Sequence, residues 1–119
     1  MSREQANTSR DFIRISSRPP LNVILEACAY HSGYAFRHIM GPDRHRIYIR
    51  VRFVYYYIAR TMGKRSFPQI SKFLGGRDHT TVMNGYNRVK NNPIEFEPLL
   101  SEVRNGITMK YGCYQIEDD

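Results

Sequence analysis

The chain has no tryptophan, only two cysteines in 119 residues, and no run of 18 consecutive apolar residues. Cys28 and Cys113 are too few and too far apart for a disulfide framework. The stretch after Met1 holds no apolar signal core, so a cytoplasmic protein with reduced thiols is expected. Without a long apolar run there is no membrane-spanning helix to expect. No Gly-x-x-x-x-Gly-Lys-Ser/Thr phosphate loop is present, which excludes that kind of nucleotide site, and no catalytic constellation supports an enzyme. Cys28, His31, His38 and His45 match zinc-ligand spacing only loosely and are read as structural, so neither metal nor cofactor is expected. Acids are scarce in the middle of the chain: residues 37 to 90 contain only Asp43 and Asp78.

What is there is basic and aromatic. Nine Tyr and six Phe lie within a hydrophobic fraction of 41%, enough for one folded domain rather than a disordered chain. The formal charge is +7. Residues 37 to 90 hold twelve Lys or Arg and carry +10, whereas residues 91 to 119 carry −4. A contiguous basic region of this kind points to a polyanionic partner, because affinity for phosphates scales with the number that one face neutralises.

Local patterns predict mostly helices. Residues 1 to 18 are polar, apart from Phe12-Ile13-Arg14-Ile15, and read as a flexible arm. After Pro19-Pro20, Val23, Ile24, Ala27 and Cys28 fall at helical spacing, giving a helix over 20 to 31 that ends near Gly33. A shorter helical piece fits 35 to 40, and Gly41-Pro42-Asp43 is a turn leading into the basic loop Arg44-His45-Arg46. Residues 46 to 53 alternate β-branched and aromatic side chains with charges and read as a strand on propensity. Yet Val51, Val54, Tyr55, Ile58 and Met62 make a helical stripe, and local pattern leaves the segment undecided. Ser66-Phe67-Pro68 opens the next helix, with Ser as N-cap and Pro in the first turn. Ile70, Phe73 and Leu74 form its inner face. A helix from about 78 to 90 follows, in which Val82, Met83, Tyr86 and Val89 repeat at three and four. Asn91-Asn92-Pro93 stops it. A last helix over 94 to 108 turns Phe96, Leu99, Leu100, Val103 and Ile107 inward, and an acidic tail begins near Gly112.

The densest functional signal is Gly75-Gly76-Arg77-Asp78-His79-Thr80-Thr81-Val82. Two glycines free the backbone for a tight turn, and Asp78 caps the helix behind it. Arg77, His79, Thr80 and Thr81 then gather at a helix N-terminus, where phosphate binds readily. Two short helices joined by such a turn are what a helix-turn-helix requires.

These residues carry a resemblance. Arg50 through Val89 is similar, without gaps, to the C-terminal DNA-binding domain of the bacterial replication initiator DnaA, whose signature Gly-Gly-Arg-Asp-His-Thr-Thr-Val stands here at Gly75 to Val82. The family's upstream Ser-Leu-Pro-Glu-Ile segment is matched by Ser66-Phe67-Pro68-Gln69-Ile70, and weaker similarity reaches back to about Leu21. The resemblance implies an all-α, Trp-repressor-like fold over residues 19 to 92, with residues 93 to 119 adding a C-terminal helix and acidic tail. It also implies that 46 to 62 is a basic loop running into a long helix. By the same resemblance Arg44 enters the minor groove. Asp78, His79, Thr80 and Thr81 meet bases or adjacent phosphates in the major groove, and Phe67 and Pro68 pack on thymine methyls. Their chemistry suits those roles: Thr reads thymine, His a purine edge, and Asp a cytosine amino group. Arg50, Arg52, Arg60, Lys64, Arg65, Ser66, Arg77 and Arg88 are the candidates for phosphate contacts, which position without specifying.

The departures also matter. The ATPase domain that accompanies this module in DnaA is not expected in so short a chain. Phe53 stands where the family usually has Gln, Val51 where Pro is frequent, Asn87 where a basic residue is common, and Tyr55 and Tyr57 where small residues are usual. The tyrosines imply a repacked core or an exposed aromatic surface for a protein partner. The resulting expectation is a cytoplasmic, nucleoid-associated, non-enzymatic regulator that binds double-stranded DNA. The alternative is a protein-interaction module, binding DnaA or another regulator, whose DNA face is masked by the acidic tail.

Overall fold

The computed structural model describes residues 18–42 and 44–110. All of the proposed N-terminal arm except Arg18, together with Asp43, Cys113 and the acidic tail, lies outside them. Six α-helices follow in order: α1 (Leu21–Ser32), α2 (Phe36–Met40), α3 (Arg46–Thr61), α4 (Phe67–Phe73), α5 (His79–Asn91) and α6 (Leu99–Lys110). A single 3₁₀ turn, Pro93–Phe96, separates the last two. The expected all-α fold holds, with no strand among the described residues.

Helix α3 is the centre of the molecule and packs against all five other α-helices. Of the two periodicities in its sequence, the helical one wins for a reason visible in burial. Val51, Val54, Tyr55, Ile58 and Met62 are each at most 2% exposed, while Ile47, which a strand would have turned inward with Ile49, is 37% exposed. His45 starts the helix by accepting a hydrogen bond at Nδ1 from the Ile47 amide. Tyr55 and Tyr56 are fully buried, and Tyr57 is half-buried and stacked on Tyr86 at 5.6 Å. Of the two alternatives the tyrosines left open, a repacked core and an exposed aromatic surface, the run takes the first. Burial pushes the Tyr55 phenol and the Cys28 thiol well above their ordinary pKa ranges.

Helix α5 lies against α3 through Gly85. A Cβ there would come within 2.6 Å of the Tyr56 ring and 2.7 Å of the Phe53 ring. The bulk of Phe53 is thus accommodated by the absence of a side chain opposite it. Phe53 also meets Phe96, at 6.3 Å between ring centroids.

The C-terminal segment differs from the single helix expected over 94 to 108. Glu97 precedes Pro98 and is extended, as the ring of a following proline favours, so the chain breaks into a 3₁₀ turn and then α6. The inward residues are as read: Phe96, Leu99, Leu100, Val103 and Ile107 join the same buried cluster as α1 and α3. Helices α1 and α6 approach closely at Gly106, where a Cβ would lie 2.7 Å from the His31 imidazole. No helix among the described residues is long and apolar enough to cross a membrane.

Candidate nucleic-acid interface

The turn between α4 and α5 is built as its residues require. Helix α4 opens with a reciprocal capping box: Ser66 Oγ accepts from the Gln69 amide at 3.2 Å, and Gln69 Oε1 accepts from the Ser66 amide at 2.9 Å. Gly75 and Gly76 then take φ of 85° and 81°, the left-handed region in which a side chain is strained. Asp78 caps α5 by accepting from the Thr80 amide at 3.1 Å. The outcome is a leading edge in which Asp78, His79, Thr80 and Thr81 are all exposed.

An open cleft of about 560 Å³ is lined by Arg44, Asp78 and Thr81 together with Ile49, Phe53 and Tyr56. Arg44 is exposed in the loop before α3. Pro68 is exposed in the first turn of α4, whereas Phe67 is half-buried, its ring edge-on to Tyr86 at 5.4 Å with the Arg60 guanidinium 4.8 Å from its centre. Of the residues assigned to base reading, Arg44, Asp78 and Thr81 line this one cleft.

The residues assigned to phosphates divide. Arg52 is corrected: it is only 4% exposed, and its guanidinium donates to the carbonyls of Ile39 at 2.7 Å, Gly41 at 2.8 Å and His38 at 3.2 Å. It closes the C-terminal end of α2, where carbonyls lack intrahelical donors and a cation is favoured. Arg77 assists from the other side, donating to the Met40 and Gly41 carbonyls, which ties the start of α5 to the start of the basic loop. Arg50 donates to the Glu95 and Glu97 carbonyls, Arg60 to the Arg65 carbonyl and Arg65 to the Gly63 carbonyl. Lys64 is half-buried with φ 55°, and the Ser66 hydroxyl serves the capping box. Arg88 is exposed and forms a two-pronged pair with Glu95 at 2.7 and 3.1 Å. That hydrogen bond holds the Glu95 carboxyl below the usual carboxylate range and raises the Arg88 pKa further.

Two exposed arginines were not among the phosphate candidates: Arg37 on α2 and Arg46 at the start of α3. Their signal was membership of the same charge-dense segment. On α5 the exposed side also extends past the signature to Asn84 and Asn87. Among the described residues no three Cys, His, Asp or Glu side chains converge as a metal site would need.

Comparison with known proteins gives this arrangement its family. The model of the bacterial DnaA protein helix-turn-helix matches residues 21–89, more than half of the chain. The chain belongs to the bacterial DnaA helix-turn-helix family. The chromosomal replication initiator protein DnaA of Roseobacter denitrificans is 38% identical over 81 residues, covering 67% of this chain and 18% of that protein. That of Streptococcus uberis is 36% identical over 84 residues, covering 71% of this chain and 19% of that protein. That of Ruegeria pomeroyi is 48% identical over 52 residues, covering 44% and 11%. The chain thus spans about a fifth or less of the length of these relatives. With the DnaA family comes the expected helix-turn-helix fold, in which α4 and α5 are the two helices of a DNA-binding motif.

Proposed function

We propose that this DnaA-like domain binds duplex DNA in a sequence-specific manner and acts, without catalysis, as a regulator of replication or transcription. The observation that carries the reading is the exposed leading edge 78 to 81, of which Asp78 and Thr81 share one cleft with Arg44. A helix-turn-helix inserts the N-terminal part of its second helix in the major groove. There Asp78 accepts from a cytosine amino group, His79 meets a purine edge, and Thr80 and Thr81 read thymine. Pro68 and the outer edge of Phe67 pack on a thymine methyl. Arg44 then reaches the adjacent minor groove, whose negative potential is strongest over narrow A·T-rich tracts. Arg50, Arg60, Lys64, Arg65, Ser66, Arg77 and Arg88 remain as phosphate contacts around this centre, several already oriented by backbone carbonyls; Arg37 and Arg46 join them.

The test compares a selected duplex with random duplexes. Replacing His79 with Ala is expected to weaken binding to the selected site by about 1 to 3 kcal/mol and to random DNA hardly at all. Equal losses on both would remove His79 from base reading.

A further inference from the structure

Thr80, Asn84, Asn87 and Asn91 succeed one another at spacings of four, three and four, the repeat of a single helix face. At 3.6 residues per turn this face is opposite Val82, Tyr86 and Val89, which are buried against the body of the protein. The stripe therefore points directly away from the core, and all four of its residues are exposed. The only charged side chains on α5 stand off this line: Arg88 is held by Glu95, and Lys90 lies over the Tyr86 ring at 5.7 Å. The outward face of the helix is consequently neutral and rich in carboxamides, suited to reading rather than to neutralising charge.

We infer that Asn84 and Asn87 are specificity-determining residues that read two adenines beyond the segment contacted by the first turn of α5; this rests on the DNA-reading role proposed above. A carboxamide offers a donor and an acceptor side by side, and adenine presents N7 and N6 in the matching order in the major groove. Asn84 lies about 6 Å and Asn87 about 10 Å along the axis from Thr80. Base pairs stack about 3.4 Å apart, so the two carboxamides fall on different steps. Asn91 ends the helix, beyond the N-terminal portion that reaches base edges.

The experiment selects duplexes from a random pool with the wild-type chain and with Asn84→Ala, Asn87→Ala and His79→Ala. Alanine at exposed helical positions favours the helix, so folding is not at risk. Each Asn variant is expected to lose preference at one adenine position of the wild-type site and to bind that site about ten- to a hundredfold more weakly, with random-duplex affinity unchanged. Putting 7-deazaadenine at that position, which removes N7, should weaken the wild type and leave the matching variant indifferent. If both Asn variants keep the wild-type preferences while His79→Ala relaxes its own, the inference fails and the DNA-reading proposal stands. Equal loss on random DNA would make the asparagines phosphate contacts and also overturn it. If the wild type enriches no duplex, both readings fall together.

Discussion

Arg44 and Arg52 lie in one charge-dense segment, yet they belong to opposite kinds of region. The loop and the leading edge of α5 hold polar side chains out to solvent, whereas the joint behind them buries Arg52 against the carbonyls at the end of α2. What separates the two is the oxygen within reach. A guanidinium buried against helix-terminal carbonyls, as Arg52 is, becomes part of the scaffold; one left exposed, as Arg44 is, remains available to a ligand. The basic charge of this domain is thus partly a structural material.

The largest effect expected from breaking this contrast is at the joint. Arg52→Met should lower stability by about 3 kcal/mol in urea denaturation, since three carbonyls lose a charged donor, while Arg44→Ala leaves the midpoint unchanged. Similar midpoints for the two variants would erase the distinction. Next is the seam between α3 and α5: Gly85→Ala drives a methyl group into the Phe53 and Tyr56 rings and should destabilise by about 2 kcal/mol. A combined Phe53→Leu, Gly85→Ala variant should recover part of that loss in the same assay.

The smallest effect belongs to the exposed Arg88–Glu95 pair. Its folded-state carboxyl pKa is lowered, so its contribution is fully present above the unfolded value of about 4.3 and is lost as pH falls through the folded one. Glu95→Gln should therefore differ slightly from wild type in thermal midpoint at neutral pH, and the two should converge once the pH has fallen below the folded value and in high salt.

Much of this was legible in the sequence. The stripe from Val51 to Met62, the Ser66 cap, the glycine turn and the Asp78 cap all sit where spacing and side-chain chemistry put them. The strand-like alternation of 46 to 53 misled because a helix beginning at the surface leaves much of its first turn exposed, so Arg46 and Ile47 carry little periodic information. The burial of Arg52 was invisible for another reason. Its partners are backbone carbonyls of a different helix, and no residue type encodes a carbonyl's position. The break at Pro98 was readable, but the apolar spacing from Phe96 to Ile107 runs smoothly across it and masks it. The role of Gly85 was not legible either, because it depends on the Phe53 and Tyr56 rings that the fold sets opposite it.

The Arg52 contact has one more consequence. Neither a guanidinium nor an amide carbonyl changes its protonation across the range in which carboxylates and imidazoles do, and a buried pair is shielded from dissolved ions. Concentrated electrolyte that strips a polyanion from the outer arginines should leave this inner contact in place. Release of the ligand and loosening of the fold are governed by different oxygens, so the domain can be washed clean of nucleic acid and remain itself.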